Sequence, residues 1–413
     1  MKAIVIHDRD EATVKIVDLI KKLGIPAENI KTAVDATSAR TCLQEDLFDF
    51  AIVDLTIPVL KGRQATYTAA EELLSEIFTA DTMHIPGDII GITREGSALD
   101  SIDADIGPHL MAVVEEDVNG VWQSRLTDRI KYILKAARSR QLSAYRHFDV
   151  DVVIVTALDK EMLPYREMFT LEETPLQPWI KTFGFSDITG KVRRGIAVSI
   201  GRAGQASAAS VIQSVITQYR PSLCLMSGFC GGFVGEVQIG EILIAESVFD
   251  WDFGKWKGKD DAEAVFYPRP EPITIRDQPI HLIARQLVTD GLDEKDALLG
   301  KVVNSGDGEI KEIKVSLGAV ASGSAVVGNR TIISRIQKIS DKLLGVDMEM
   351  YAHYYAASYT RVVKPSFLAI KSVADFCDGK KSDKYHEACS LLSAATVKEI
   401  ITRRWKFDRD SLY

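Results

Sequence analysis

Short apolar runs alternate with stretches of helical periodicity along the whole chain. Residues 2–7 (KAIVIH) form an apolar run that ends in acidic residues. Residues 12–23 place Val14, Ile16, Val17, Leu19 and Ile20 at helical spacing, and Gly24 ends the pattern. Further apolar runs follow at 50–55 (FAIVDL, then Pro58), 88–93 (DIIGIT) and 110–114 (LMAVV). Residues 125–138 then make an amphipathic helix. Strands separated by helices predict a parallel sheet with helices on both faces over residues 1–140. The polar stretch 139–148 (SRQLSAYRHF) has weak periodicity, which sets a linker at 141–149.

A larger α/β pattern occupies 150–408. Its predicted strands are 150–158, 194–200, 222–227, 240–249 and 366–375, with helices at 205–218, 330–339, 347–358 and 386–404. Two α/β domains in tandem are expected, without repeats or low-complexity tracts.

Composition narrows the picture. Of 413 residues, 46% are apolar and 26% charged, which excludes disordered, collagen-like and coiled-coil chains. The net charge of -8 argues against nucleic acid as a partner, since a basic face supplies most of that affinity. Cys42, Cys224, Cys230, Cys377 and Cys389 are odd in number and form no C-x-x-C pair, so reduced thiols are expected. No signal peptide and no apolar run of about 18 residues appears, which predicts a cytoplasmic protein away from the membrane.

Two groups of residues carry candidate chemistry. In an open parallel sheet, functional side chains collect at the carboxyl ends of the strands. Asp8, Asp54 and Thr93 all stand at such ends. Two carboxylates at one edge can share Mg²⁺, which takes oxygen ligands, and a nearby hydroxyl could sense charge added to the central Asp. The segments IHDRD, VDLTIP and IGIT, in this order, resemble a response-regulator receiver domain. The resemblance implies a flavodoxin-like fold, Asp54 as phosphoacceptor, Asp8 with Asp54 as Mg²⁺ ligands, Thr93 as switch hydroxyl, and an upstream histidine kinase or phosphotransfer partner. The chain departs from that pattern twice. His7 stands where an acid is usual, and Glu115 and Glu116 follow the last strand where receivers present a Lys.

The second group is Glu161, Glu349 and Asp375, each at the end of a predicted element. The strand ending S-G-F-C-G-G at 227–232 would let a planar ligand approach the backbone. Breaking a ribose–base bond needs a proton donor for the leaving base, a carboxylate to activate water, and a grip on the ribose hydroxyls. TALDKEM, SGFCGG, ASGSAVVGN, VDMEM and SVADFCD occur in the order and approximate spacing of the nucleoside phosphorylase superfamily, and resemble methylthioadenosine/S-adenosylhomocysteine nucleosidases. The resemblance implies a three-layer α/β/α fold that needs no cofactor for the reaction. Glu161 would orient water, Glu349 hold the 2′ and 3′ hydroxyls with Met348 against the sugar, and Asp375 protonate N7. Phe229, Cys230 and Gly231 would line the pocket, with Val326 and Val327 beside the base.

Hydrolysis is favoured over phosphorolysis, because MSGFCGG lacks the Arg that phosphorylases commonly place there, although Arg202 in the GRAGQ turn keeps phosphate binding open. Lys380, Lys381 and Lys384 follow Asp378 in GKKSDKYH and suit an anionic 5′ group. A receiver joined to a nucleosidase resembles the effectors of Detocs-type antiviral two-component systems. That likeness implies cleavage of ATP to adenine and ribose-5′-triphosphate in antiphage defence, within a homo-oligomer. The alternatives are a receiver-controlled methylthioadenosine-type nucleosidase or purine nucleoside phosphorylase, and a non-catalytic purine-binding module.

Overall fold

The computed structural model describes residues 1–80, 82–94, 110, 112–117, 119–143, 147–175, 177–258, 264–304, 310–340, 342–378 and 383–407. The chain divides into two compact units, Met1–Leu142 and Ser143–Tyr413.

In the first unit the elements are β1 (Ala3–Ile6), α1 (Asp10–Lys22), β2 (Ile30–Ala33), α2 (Ala36–Glu45), β3 (Phe50–Asp54), α3 (Tyr67–Thr79), β4 (Ile89–Thr93), β5 (Ala112–Glu115) and α4 (Val121–Ser143). The five strands pair in the order β2-β1-β3-β4-β5, all parallel. Alternate residues of β1 and β3 feed two cores. Ile4, Ile6, Ala51 and Val53 pack with Leu43, Leu73 and Ile77 of α2 and α3. Ala3, Val5, Phe50 and Ile52 pack with Ile16, Ile20, Leu126 and Ile130 of α1 and α4. Helices therefore cover both faces, and β1, β3 and β4 are buried throughout.

The sequence pattern passed over β2, α2 and α3. Strand β2 (IKTA) is a sheet edge on which only Ala33 is fully buried, so it carries no apolar run. Helix α2 is started by a cap and not by periodicity, with Asp35 Oδ1 accepting from the Ser38 N–H at 2.7 Å. Helix α4 starts four residues before the predicted 125 and runs five past 138.

In the second unit the strands are β6 (Val150–Thr156), β7 (Glu172–Thr174), β8 (Gln177–Ser186), β9 (Val192–Ser199), β10 (Pro221–Gly232), β11 (Ile242–Asp250), β12 (Gly254–Lys257), β13 (Val265–Pro268), β14 (Ile273–Thr274), β15 (Val315–Ser322), β16 (Leu343–Asp347) and β17 (Ser366–Asp375). The helices are α5 (Asp159–Met168), α6 (Gln205–Tyr219), α7 (Ile280–Asp290), α8 (Lys295–Asn304), α9 (Arg330–Gln337), α10 (Met350–Ser358) and α11 (His386–Glu399), the last followed by one π turn, Ile400–Arg404.

Ten strands form a mixed sheet, ordered β14-β11-β15-β16-β10-β6-β9-β8-β7, with β17 pairing both β10 and β11. The pairings β10–β17–β11–β15–β16–β10 thus close on themselves. The resemblance implied a three-layer α/β/α fold; the mixed sheet has, in addition, a part that curls into a ring. Register shifts at Cys230/Gly231, Ala245/Ser247 and Ala319/Val320 supply local bends of the kind that curl a sheet. Helix α5 packs with α11, and α6 with α10. Among the described residues no helix is long and apolar enough to cross a membrane.

Candidate active site

The rim of the closed ring gathers the second group of acids. Strand β10 ends in the Gly-rich segment, β16 in Asp347, and β17 in Asp375. Glu161 sits in the first turn of α5, and its Oε2 reaches back to accept from the Leu158 N–H at 2.8 Å, the usual return of an acid at this helix position. Its Oε1 accepts from the Phe229 N–H at 3.0 Å. That contact needs Gly228, whose φ is +150° and whose added Cβ would lie 2.1 Å from Glu161 Oε1. Burial raises the Glu161 pKa, against the Lys371 charge and the two N–H bonds that lower it.

Glu349 precedes α10 and is buried. Its Oε1 accepts from the Gly204 N–H at 2.9 Å and its Oε2 from Lys371 Nζ at 2.7 Å. Asp347 accepts from the N–H groups of Glu349 and Met350, which fixes the start of α10, and binds Lys371 Nζ at 2.8 Å. Lys371 is 1% exposed in the middle of β17. Burial alone would lower its pKa, but Asp347, Glu349 and Glu161 overcome that and hold it well above the ordinary lysine value. Asp375 Oδ1 accepts from the Cys377 N–H at 2.8 Å.

One cleft of about 110 Å³ is lined by Glu161, Glu349, Asp375, Asp347 and Lys371 together with Phe229, Cys230, Gly231, Val326, Val327 and Met348. Ordinary ligand pockets measure ~300–1,000 Å³, so a ligand of ordinary size would extend past this cleft toward solvent. Larger hollows exist: one of about 1,070 Å³ is lined by Phe169, Phe185, Leu298 and Leu391. There Glu399 and Glu294 are already held by Arg404 and Arg403, and no glycine-rich strand end meets them, so the smaller cleft is the candidate site.

The sequence had not singled out Asp347 or Lys371. The signal for Lys371 was present: a lone cation inside the apolar run SFLAIKSVAD must be paired if the strand is buried. Arg202 is exposed, and the GRAGQ turn offers the cleft Ala203 and the Gly204 N–H instead. Cys230 packs with Val237, Leu243 and Val373, and burial pushes its thiol pKa far up, so it lines the cleft as an apolar group. Val327 is buried, whereas Val326 is 60% exposed at the rim. Lys384 is exposed, with its ammonium against Tyr385. Lys380 and Lys381 lie outside the described residues.

The first unit gathers a different cluster. Strands β1 and β3 flank the point where the winding reverses, which is where open α/β sheets form a ligand crevice. Ligand atoms of His7, Asp8 and Asp54 lie within 4.8 Å of one another. Asp54 Oδ1 accepts from the Thr56 N–H at 2.9 Å, and Oδ2 lies 3.2 Å from His7 Nδ1. Burial raises the Asp54 pKa to about 7, helped by the charges of Asp8 and Glu116. Burial lowers that of His7, against Glu116 and Asp8. Thr93 is buried at the end of β4. Glu115 is exposed, whereas Glu116 turns inward and binds Arg9 and, at 2.8 Å, Arg94 Nε. The two carboxylates fit a hard divalent cation, and His7 adds a nitrogen that Mg²⁺ uses less readily.

Residues 151–403 match the Phosphorylase superfamily, and the chain belongs to it. Over 420 residues, 98% of this chain and 99% of the relative, it is 28% identical to the protein y4jS of Sinorhizobium fredii. Over 273 residues it is 26% identical to the ATP nucleosidase Cap17 of Escherichia coli. That match covers 62% of this chain and spans only 51% of Cap17. A solved 5′-methylthioadenosine/S-adenosylhomocysteine nucleosidase of Neisseria meningitidis, in complex with methylthio-immucillin-A, has 17% identity and a TM-score of 0.44, over 61% of this chain and 98% of that one.

Proposed function

We propose that this chain is a purine nucleosidase that hydrolyses the N-glycosidic bond of adenine nucleotides, ATP foremost, releasing adenine and ribose-5′-triphosphate. The observation that carries the reading is the convergence of Glu161, Glu349 and Asp375 on one cleft beside a glycine-rich strand end. Kinship with an ATP nucleosidase supports the substrate class.

In this reading each acid takes one part. Both Glu161 oxygens are aimed by a backbone N–H, and each keeps a lone pair for a water. That water attacks C1′ as the bond to the base breaks, and its proton passes to Glu161. Asp375 donates a proton to N7, so the base departs neutral and the charge balances. Glu349 accepts from the ribose 2′ and 3′ hydroxyls. Lys371 keeps three buried acids from repelling one another.

The first unit, in this reading, is a receiver. Asp54 takes a phosphoryl group from the phosphohistidine of a kinase or phosphotransfer partner, its O–P bond forming as the donor's N–P bond breaks, and Thr93 responds to the added charge; Asp8 and Asp54, beside His7, would hold a Mg²⁺ that offsets charge on the phosphoryl oxygens. The strand order and the acids at the switch point support it. Phosphorylation then shifts a homo-oligomer between idle and active states, and depletes ATP in an infected cell.

The test is incubation of the protein with ATP, AMP, adenosine and methylthioadenosine, with and without inorganic phosphate, followed by chromatography for adenine. Release from ATP without phosphate is expected. Release only with phosphate would make it a phosphorylase, release only from methylthioadenosine would change the substrate, and none from any of them would remove the activity. Adenine release that is indifferent to phosphate transfer onto Asp54 would remove the receiver from the scheme.

A further inference from the structure

Beside the cleft two side chains meet over one aromatic ring. Phe229 lines the cleft and holds Glu161 through its backbone N–H. The imidazole of His386 stacks on the Phe229 ring, with centroids 4.0 Å apart and planes at 10°. The ammonium of Lys160 lies 5.1 Å from the centroid of the same ring. Lys160 Nζ is 2.8 Å from His386 Nδ1, and Asp383 Oδ1 is 2.9 Å from that same nitrogen. Lys160 neighbours Glu161 in the first turn of α5, and His386 opens α11. The first turns of two helices, each a region of positive dipole, thus carry these two side chains.

The imidazole of His386 thus meets the Asp383 carboxylate, whose side chain is 89% exposed, while the Lys160 ammonium lies against the same ring nitrogen. So exposed an acid is held weakly, since water screens it. A phosphate brings about -1.5 to -2 charges and three acceptor oxygens, so it competes well with Asp383 for His386 and can draw in the Lys160 ammonium beside it. We propose that Lys160 and His386 form the subsite for the 5′-phosphate chain of a nucleotide, with the Phe229 ring as its floor and Asp383 as the internal anion that the phosphate displaces. The cleft is too small to enclose a nucleotide, so the charged end of the substrate has to lie outside it. Lys160 is exposed, and it directly precedes Glu161, the acid proposed to aim the water. Neither side chain was among the sequence candidates, and neither belongs to the 379–382 segment. The subsite would make the enzyme prefer nucleotides to nucleosides.

The inference rests on the nucleosidase reading, and the test separates the two. Adenine release from ATP and from adenosine is measured for the full chain as wild type, Lys160→Met and His386→Gln. The ratio of kcat/KM for ATP to that for adenosine is expected to fall tenfold or more in each variant, mainly through KM for ATP. Lys160→Arg is expected to recover most of it. A fall below fivefold in both variants overturns the subsite, even if adenine is released normally. If wild type releases no adenine, the nucleosidase reading fails instead, and calorimetric titration with ATP and with tripolyphosphate still decides the subsite. Affinity lost in Lys160→Met supports it, and equal affinity in wild type and variant overturns it.

Discussion

Both units place carboxylates at the carboxyl edge of a sheet, yet they treat the charge in opposite ways. In the second unit a buried lysine bridges two of the acids: Lys371 binds Asp347 and Glu349 at 2.8 and 2.7 Å. Lys371 offsets part of the cluster's charge from within and ties two of its acids in place. In the first unit the cations go to the wrong acid for that purpose. Arg9 and Arg94 both bind Glu116, and Asp54 is left with an N–H bond and an imidazole that burial holds toward neutral. Its pKa of about 7 is the result. One cluster offsets its acids with a buried ammonium; the other leaves the carboxyl of Asp54 to be shifted by burial.

The largest effect should come from removing the proposed acid of the balanced cluster. Asp375→Asn is expected to cut adenine release by about 10²–10⁴-fold, because the amide cannot supply the proton. Turnover near wild type in a chromatographic assay would refute the assignment. Glu161→Gln should lose turnover while still binding substrate, whereas Glu349→Gln should lose affinity as well; equal affinity losses by calorimetry would mean that the two roles are confused.

Next in size is the internal balance itself. Lys371→Met leaves Asp347 and Glu349 buried without their cation and should cost about 3–5 kcal/mol of stability. Asp54→Asn in the other cluster should cost nothing above pH 7, since it removes a carboxylate that burial penalises. Urea denaturation of both variants sharpens the contrast, and a similar loss in each would erase it.

A smaller effect concerns pH in the second unit. His353 is fully buried, and burial lowers its pKa to about 3. A group depressed in the folded state lets the unfolded chain bind more protons below its ordinary value, so stability falls as pH drops below about 6.5. Between pH 7 and 5 the loss from this one residue is about 2 kcal/mol. His353→Leu should flatten that slope in denaturation curves taken across the range.

The smallest expected shift is that of Mg²⁺ on the first unit. Millimolar Mg²⁺ should raise its melting temperature by a few degrees, corresponding to about 1–2 kcal/mol. The shift should grow from pH 6 to pH 8, because a proton on Asp54 competes with the ion below its pKa of about 7. Asp54→Asn should abolish it. A shift that survives this substitution would place the ion elsewhere.

The sequence by itself determined the strands that are apolar from end to end, such as FAIVDL and SFLAIKSVAD, and the acids at their ends. Such runs bury on both faces wherever they are placed, so they announce themselves. Edge strand β2, the capped helix α2 and strands β15 and β16 carry no such signal, because their positions are set by neighbours and not by their own periodicity. Val346–Asp347 shows the difference well: the VDMEM motif suggested a grip on the ribose, but that Asp347 turns back to start α10 and shares Lys371 with Glu349 follows only from the closing of the ring. Likewise the pairing of Lys160 with His386 joins residues 226 positions apart in the chain. Local pattern fixes which residues are buried; only the tertiary structure decides which charges face one another, since that depends on strands brought together by long-range pairing.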